Sequence, residues 1–127
     1  MSTSHYQTPQ PSITPQQERT WGMLTHAIAL GAMVVSAGTL GFVASLVIYL
    51  SYRDKGPFVR AHAANSLNIQ IMTGIGLVLS VIAMLLLVGF VTYFLVLGVA
   101  FVLHLVGAVK ASSGQWWEPP LTPRFVR

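Results

Sequence analysis

Six polar side chains interrupt otherwise apolar stretches of this chain: His26, His62, Asn65, Asn68, Gln70 and His104. Imidazole can ligate a metal, carry a proton or pair with a neighbouring dipole. Three readings therefore compete. The groups bond one another or backbone carbonyls and so join helices. Alternatively they line a polar vestibule for a polypeptide, a lipid headgroup or a small solute. Or His26, His62 and His104 form a three-histidine metal site, a ligand count zinc accepts. We adopt the first, because no two of the histidines show close ligand spacing and no carboxylate stands near them for a proton relay. On this reading the rings are neutral, since an imidazolium would be poorly solvated there. Asn65 or Asn68 are the expected hydrogen-bond partners.

No other constellation suggests chemistry. The chain has no cysteine, which excludes thiolate metal sites, disulfides and cysteine catalysis. Ser112-Ser113-Gly114 has no base or acid near it and reads as a helix stop, with Gly114 just past the end. We expect no enzyme, no cofactor, no catalytic residue and no bound metal.

The elements that must position these groups follow from composition. Only 8% of the 127 residues are charged and 54% are apolar. Soluble domains carry about a quarter charged residues. Mean hydropathy is +0.66. A soluble globule is excluded on these grounds, and an integral membrane protein remains. The net charge is +4, but the seven basic residues are scattered, without the clustering of a nucleic-acid surface. They read as flanks of membrane segments.

The charges divide the chain. Thr20–Tyr52 is a run of 33 uncharged residues and Ala61–Val109 a run of 49, and all seven prolines fall outside both. The longer run accommodates two membrane helices of about 20 residues each. The expected spans are Phe58–Val88 and Val91–Ala111, broken at Gly89. The shorter run is long for one helix, and the small residues Ser36–Gly41 mark a turn in its middle. Two short helices, Glu18–Val35 and Thr39–Arg53, are expected there. The fold class is thus all-α: an integral membrane bundle of four transmembrane helices, the first two short and forming a hairpin. Residues 1–17, polar and rich in proline and glutamine, are expected to stay disordered. Residues 18–111 form the membrane domain and 112–127 a cytoplasmic tail. Four helices place all ten charges on one side, so both termini are expected in the cytoplasm of a multi-pass cell-membrane protein. Ala37, Gly41 and Ser45, and Gly107 and Ala111, recur every four residues and suit close helix approach within one chain.

One string is more specific than the rest. Tyr52-Arg53-Asp54-Lys55-Gly56-Pro57-Phe58-Val59-Arg60-Ala61-His62-Ala63-Ala64-Asn65-Ser66-Leu67-Asn68-Ile69-Gln70 resembles the Tic-twenty-like bacterial membrane proteins. Trp21–His26, Ala108–Gly114 and Trp116–Pro120 are similar to the same family. That family is a domain of unknown function, similar to a chloroplast inner-envelope import component. The resemblance implies a four-helix membrane domain.

The expected role is a small structural or accessory subunit of a membrane complex, one that could handle polypeptides. Its partners would be the bilayer and other membrane proteins or further copies of itself, with no nucleic acid. The alternative is an oligomeric channel or transporter lined by His62–Gln70. Whether Asn68 and Gln70 face a wet cavity or a dry helix contact separates the two.

Overall fold

A computed structural model describes residues 12–127; most of the expected N-terminal tail lies outside them. Four α-helices follow in order: α1 Pro15–Val35, α2 Gly41–Tyr52, α3 Pro57–Ala83 and α4 Val88–Ser112, with a 3-10 turn Met84–Leu86 before α4. No strand occurs among the described residues.

Each boundary has a local cause. Thr14 caps α1 by accepting from the Gln17 N–H, and the Gln17 side chain accepts from the Thr14 N–H in return. This box draws Pro15–Gln17 into the helix, so the tail ends three residues earlier than expected. The α1–α2 turn closes on itself. Gly38, at φ +100°, donates to Met33, and the Ser36 hydroxyl accepts from the Leu40 N–H. α4 ends in a Schellman pair, Gln115 N–H to Lys110 and Gly114 N–H to Ala111.

The α3–α4 break is displaced from its expected place. Leu87, at φ +65°, makes the reversal. Gly89 lies inside α4, where a Cβ would sit 2.0 Å from the Ser80 carbonyl oxygen and 2.1 Å from the Met84 nitrogen. Its glycine serves a close approach of two backbones, a use that looks the same as a turn signal in sequence.

α3 and α4 are long and apolar enough to cross a membrane; α2, with 12 residues, is a shorter apolar helix. At 1.5 Å per residue α2 reaches about 18 Å, short of the ~30 Å hydrocarbon core. The α1–α2 turn packs on the shafts of α3 and α4, with Gly38 against Leu77 and Leu97. The α3–α4 hairpin continues past that level by about ten residues, roughly 15 Å. Its apex residues Leu85, Leu86 and Leu87 are all exposed.

All ten charges lie at the opposite end. Glu18 and Arg19 begin α1, Arg53–Arg60 link α2 to α3, and Lys110 closes α4. The remaining three belong to the tail, which folds back along α3. Tyr49 donates its hydroxyl hydrogen to the main-chain oxygen of Arg127, and Val126 packs against Tyr49, Ala63, Ala64 and Leu67.

Candidate functional site: a buried histidine chain

α1, α3 and α4 bring His26, His62 and His104 together although 36 and 78 positions separate His26 from the other two. All three are fully buried. His62 Nδ1 lies 3.3 Å from His26 Nε2, and His26 Nδ1 lies 3.3 Å from His104 Nδ1. The ends are tied as well. His62 Nε2 is 2.9 Å from the Gln115 carbonyl oxygen, and His104 Nε2 is 2.7 Å from Gln70 Nε2.

The chain has one direction. A carbonyl oxygen only accepts, so His62 carries its proton on Nε2 and accepts at Nδ1. His26 must then donate from Nε2 and accept at Nδ1, and His104 donates from Nδ1. Its Nε2 accepts from the Gln70 amide. Three neutral rings satisfy every contact in this order. Turning the Gln70 amide round would set its oxygen on His104 and leave the chain one proton short. Such a line ends in an amide carbonyl at one side and an amide N–H at the other, and neither end is a titratable group.

Gly107 makes room for it. A Cβ there would meet the His26 ring at 2.5–2.7 Å. Trp117 adds an edge contact to His26, with ring centroids 6.1 Å apart. His26 offers its two nitrogens to opposite neighbours, so the three rings do not converge on one point. Among the described residues no group of three or more histidines, cysteines or acids is placed to hold a metal.

The expected amide partners are a correction. Asn65 and Asn68 do not bond the histidines; they hold the tail. Asn65 Nδ2 donates to the Trp117 carbonyl. Asn68 grips Val126 in both directions, Nδ2 to its carbonyl at 3.0 Å and its N–H to Oδ1 at 2.7 Å. Gln70 is the amide that meets a histidine. On an α-helix Asn68 and Gln70 point about 200° apart, so one serves the outer tail while the other serves the bundle interior. Both are 1% exposed, Asn68 bonded to the tail and Gln70 to the histidine chain. Gln70 Oε1 and Thr25 Oγ1 are buried without a partner among the described residues.

Two contacts escaped the sequence reading. Ser66 donates to the Thr25 carbonyl and sits 2.9 Å from Ser45 Oγ, which therefore donates to it. Glu18 is 5% exposed, and its Oε2 accepts from the Val59 N–H at the start of α3. A signal for the latter existed: the N-cap of α3 is Gly56, which has no side chain to satisfy the first amides.

A family model described as the magnetosome magnetite crystal formation protein family matches residues 17–126. This chain belongs to that family. No match was found among curated proteins or among solved structures. The assignment overturns the Tic-twenty-like resemblance. The four strings behind that resemblance all lie inside the matched range. A charged Gly-Pro link and small or aromatic residues at helix ends suit many short-looped membrane bundles, so they discriminate poorly between families. The magnetosome family and the two long apolar helices together make this a membrane protein.

Proposed function

We propose that this chain serves magnetite crystal formation as a multi-pass accessory subunit of the magnetosome membrane, with no catalytic role of its own. All four helices insert from the charged end, so both termini share one face. α1 and α2 form a short hairpin beside the full-length α3–α4 pair.

The single observation that carries this reading is the one-ended distribution of charge on a bundle whose other end carries no charged residue. The carboxylates support the accessory role. Iron-oxide surfaces and hard cations favour oxygen ligands. The three acids of the chain are dispersed: Glu18 caps α3, Asp54 lies 3.8 Å from Arg53 on the exposed α2–α3 link, and Glu118 pairs with Arg124 in the tail. Three scattered carboxylates make a poor nucleating surface, which favours action through the membrane and its protein neighbours.

Two measurements test this. In sealed vesicles, an impermeant thiol reagent should label Lys55→Cys and Leu86→Cys from opposite faces. Labelling of both from one face rejects the insertion. A strain lacking the protein should form magnetite crystals of altered size or number, and stoichiometric membrane partners should copurify in mild detergent. Unchanged crystals, or a protein that always purifies alone, would reject the accessory role.

A further inference from the structure

A cavity of about 360 Å³ opens between the first turns of α3 and the folded-back tail. Its volume falls in the about 300–1,000 Å³ range of small-molecule sites. The side chains of Arg60, Arg124 and Arg127 line it against that of one acid, Glu118, so basic side chains outnumber acidic ones by two. Trp116 and Asn65 contribute to the wall, and Trp116 is 62% exposed. Arg60 is held in place by two bonds from Nε and Nη2 to the main-chain oxygen of Arg127, at 3.2 and 3.1 Å. Phe58 meets Trp116 edge to face, with centroids 5.2 Å apart. The cavity thus has guanidinium donors, an interfacial indole and little negative charge.

A second groove of about 250 Å³ lies along the same helix, deeper in the apolar half. Ile69, Met72 and Gly76 of α3 line it with Leu95 and Val99 of α4, and Leu121 of the tail adds to its rim. Ala61, Asn65, Ile69, Met72 and Gly76 follow one another at helical three- and four-residue steps, so both openings lie on one stripe of α3. That stripe spans about 22 Å.

A charged cavity at the membrane surface followed by an apolar groove beneath it has the amphipathic pattern of one lipid. We infer that this face binds an anionic phospholipid, with its phosphate held by Arg60, Arg124 and Arg127 and an acyl chain against the α3–α4 groove. Guanidinium groups suit phosphate because their N–H pairs match two oxygens at once. Basic clefts on membrane bundles take acidic headgroups by the same chemistry. The inference rests on the membrane insertion proposed above.

The test uses the full chain purified in mild detergent. Phosphatidylglycerol, phosphatidylcholine and inorganic phosphate are each added, and the melting temperature and lipid adducts in native mass spectrometry are read. Phosphatidylglycerol should raise the melting temperature and remain bound, while the other two should not. Arg124→Gln and Arg127→Gln should each weaken retention about fivefold. Lys55→Gln, at the same end but outside the cavity, should retain the lipid as the native chain does. Arg127→Gln alone keeps the inference testable if loss of the Arg124–Glu118 pair disturbs the tail. Equal effects of phosphatidylcholine, an equal shift from inorganic phosphate, or equal losses in Lys55→Gln would each overturn the lipid site. A chain that needs no detergent to stay soluble would overturn the membrane insertion instead, which separates the two failures.

Discussion

The Glu18 carboxylate and the Val59 main-chain N–H, 41 residues apart, meet at 3.0 Å and close the N-terminus of α3 from the first turn of α1. An anion there complements the positive end of the helix dipole. The neighbouring Arg19 guanidinium lies over Gly114, where a Cβ would come 2.7 Å from its Nε, beside the C-terminal end of α4. Two consecutive residues of opposite charge thus face two helix ends of opposite polarity. α3 and α4 run antiparallel, so those ends lie on the same side of the bundle.

The Glu18 contact depends on Gly56. Its φ of 173° is extended and open to any residue, but a Cβ would lie 2.3–2.6 Å from the Glu18 carboxyl atoms. Glu18→Ala should cost about 1–2 kcal/mol through the lost cap. Gly56→Ala should cost at least as much. The double variant should cost little more than Glu18→Ala alone, because the shortened side chain frees the space. Additive losses in detergent melting curves would show that the two residues do not interact.

The histidine chain makes a spectroscopic prediction. Nitrogen-15 shifts should show neutral rings protonated at Nε2 in His62 and His26 and at Nδ1 in His104. A different tautomer at any of the three breaks the proposed order. His26→Leu leaves the donor of His104 and the acceptor of His62 without partners and should destabilise by about 1–3 kcal/mol per orphaned group. His26→Gln, which keeps a donor and an acceptor, should cost less. Chelators should leave the melting temperature unchanged, and a fall of many degrees would make the three-histidine metal site the leading reading.

Glycines of one helix should behave in opposite ways. Gly107→Ala drives a methyl into the His26 ring and should cost about 1–3 kcal/mol, as overpacking does. Gly98 has open space around its would-be Cβ. Gly98→Ala should be neutral or stabilise by up to about 1 kcal/mol through helix propensity. Similar melting temperatures for the two variants would contradict the packing described.

The tail should come loose without the bundle unfolding. Asn68→Ala removes both bonds to Val126, so trypsin should cut after Arg124 much faster than in the native chain. The helical circular dichroism should stay within error of the native signal. An unchanged cleavage rate would mean that the tail is held by other contacts.

The sequence by itself determined which stretches are helical and where the charge sits. Uncharged runs bounded by prolines and charged links are a one-dimensional signal, and the helix boundaries fell within a few residues of it. His26, His62 and His104 were legible as candidates because a polar group in an apolar run is costly wherever it ends up. Their pairing was not legible. Hydrogen bonds depend on the rotation of each helix about its axis, which is set by steric contacts such as Gly107 against His26 and Gly41 against Gln70. Asn65 and Asn68 were therefore assigned to the wrong neighbours, and Gly89 to a turn in place of a backbone contact. The depth of the α1–α2 turn and the return of the tail were decided only by tertiary packing. The turn can stop at Leu77 and Leu97 because its main chain bonds internally and to Tyr93, whose hydroxyl hydrogen bonds the Ala37 carbonyl at 2.5 Å. No local residue pattern encodes a partner 56 positions away.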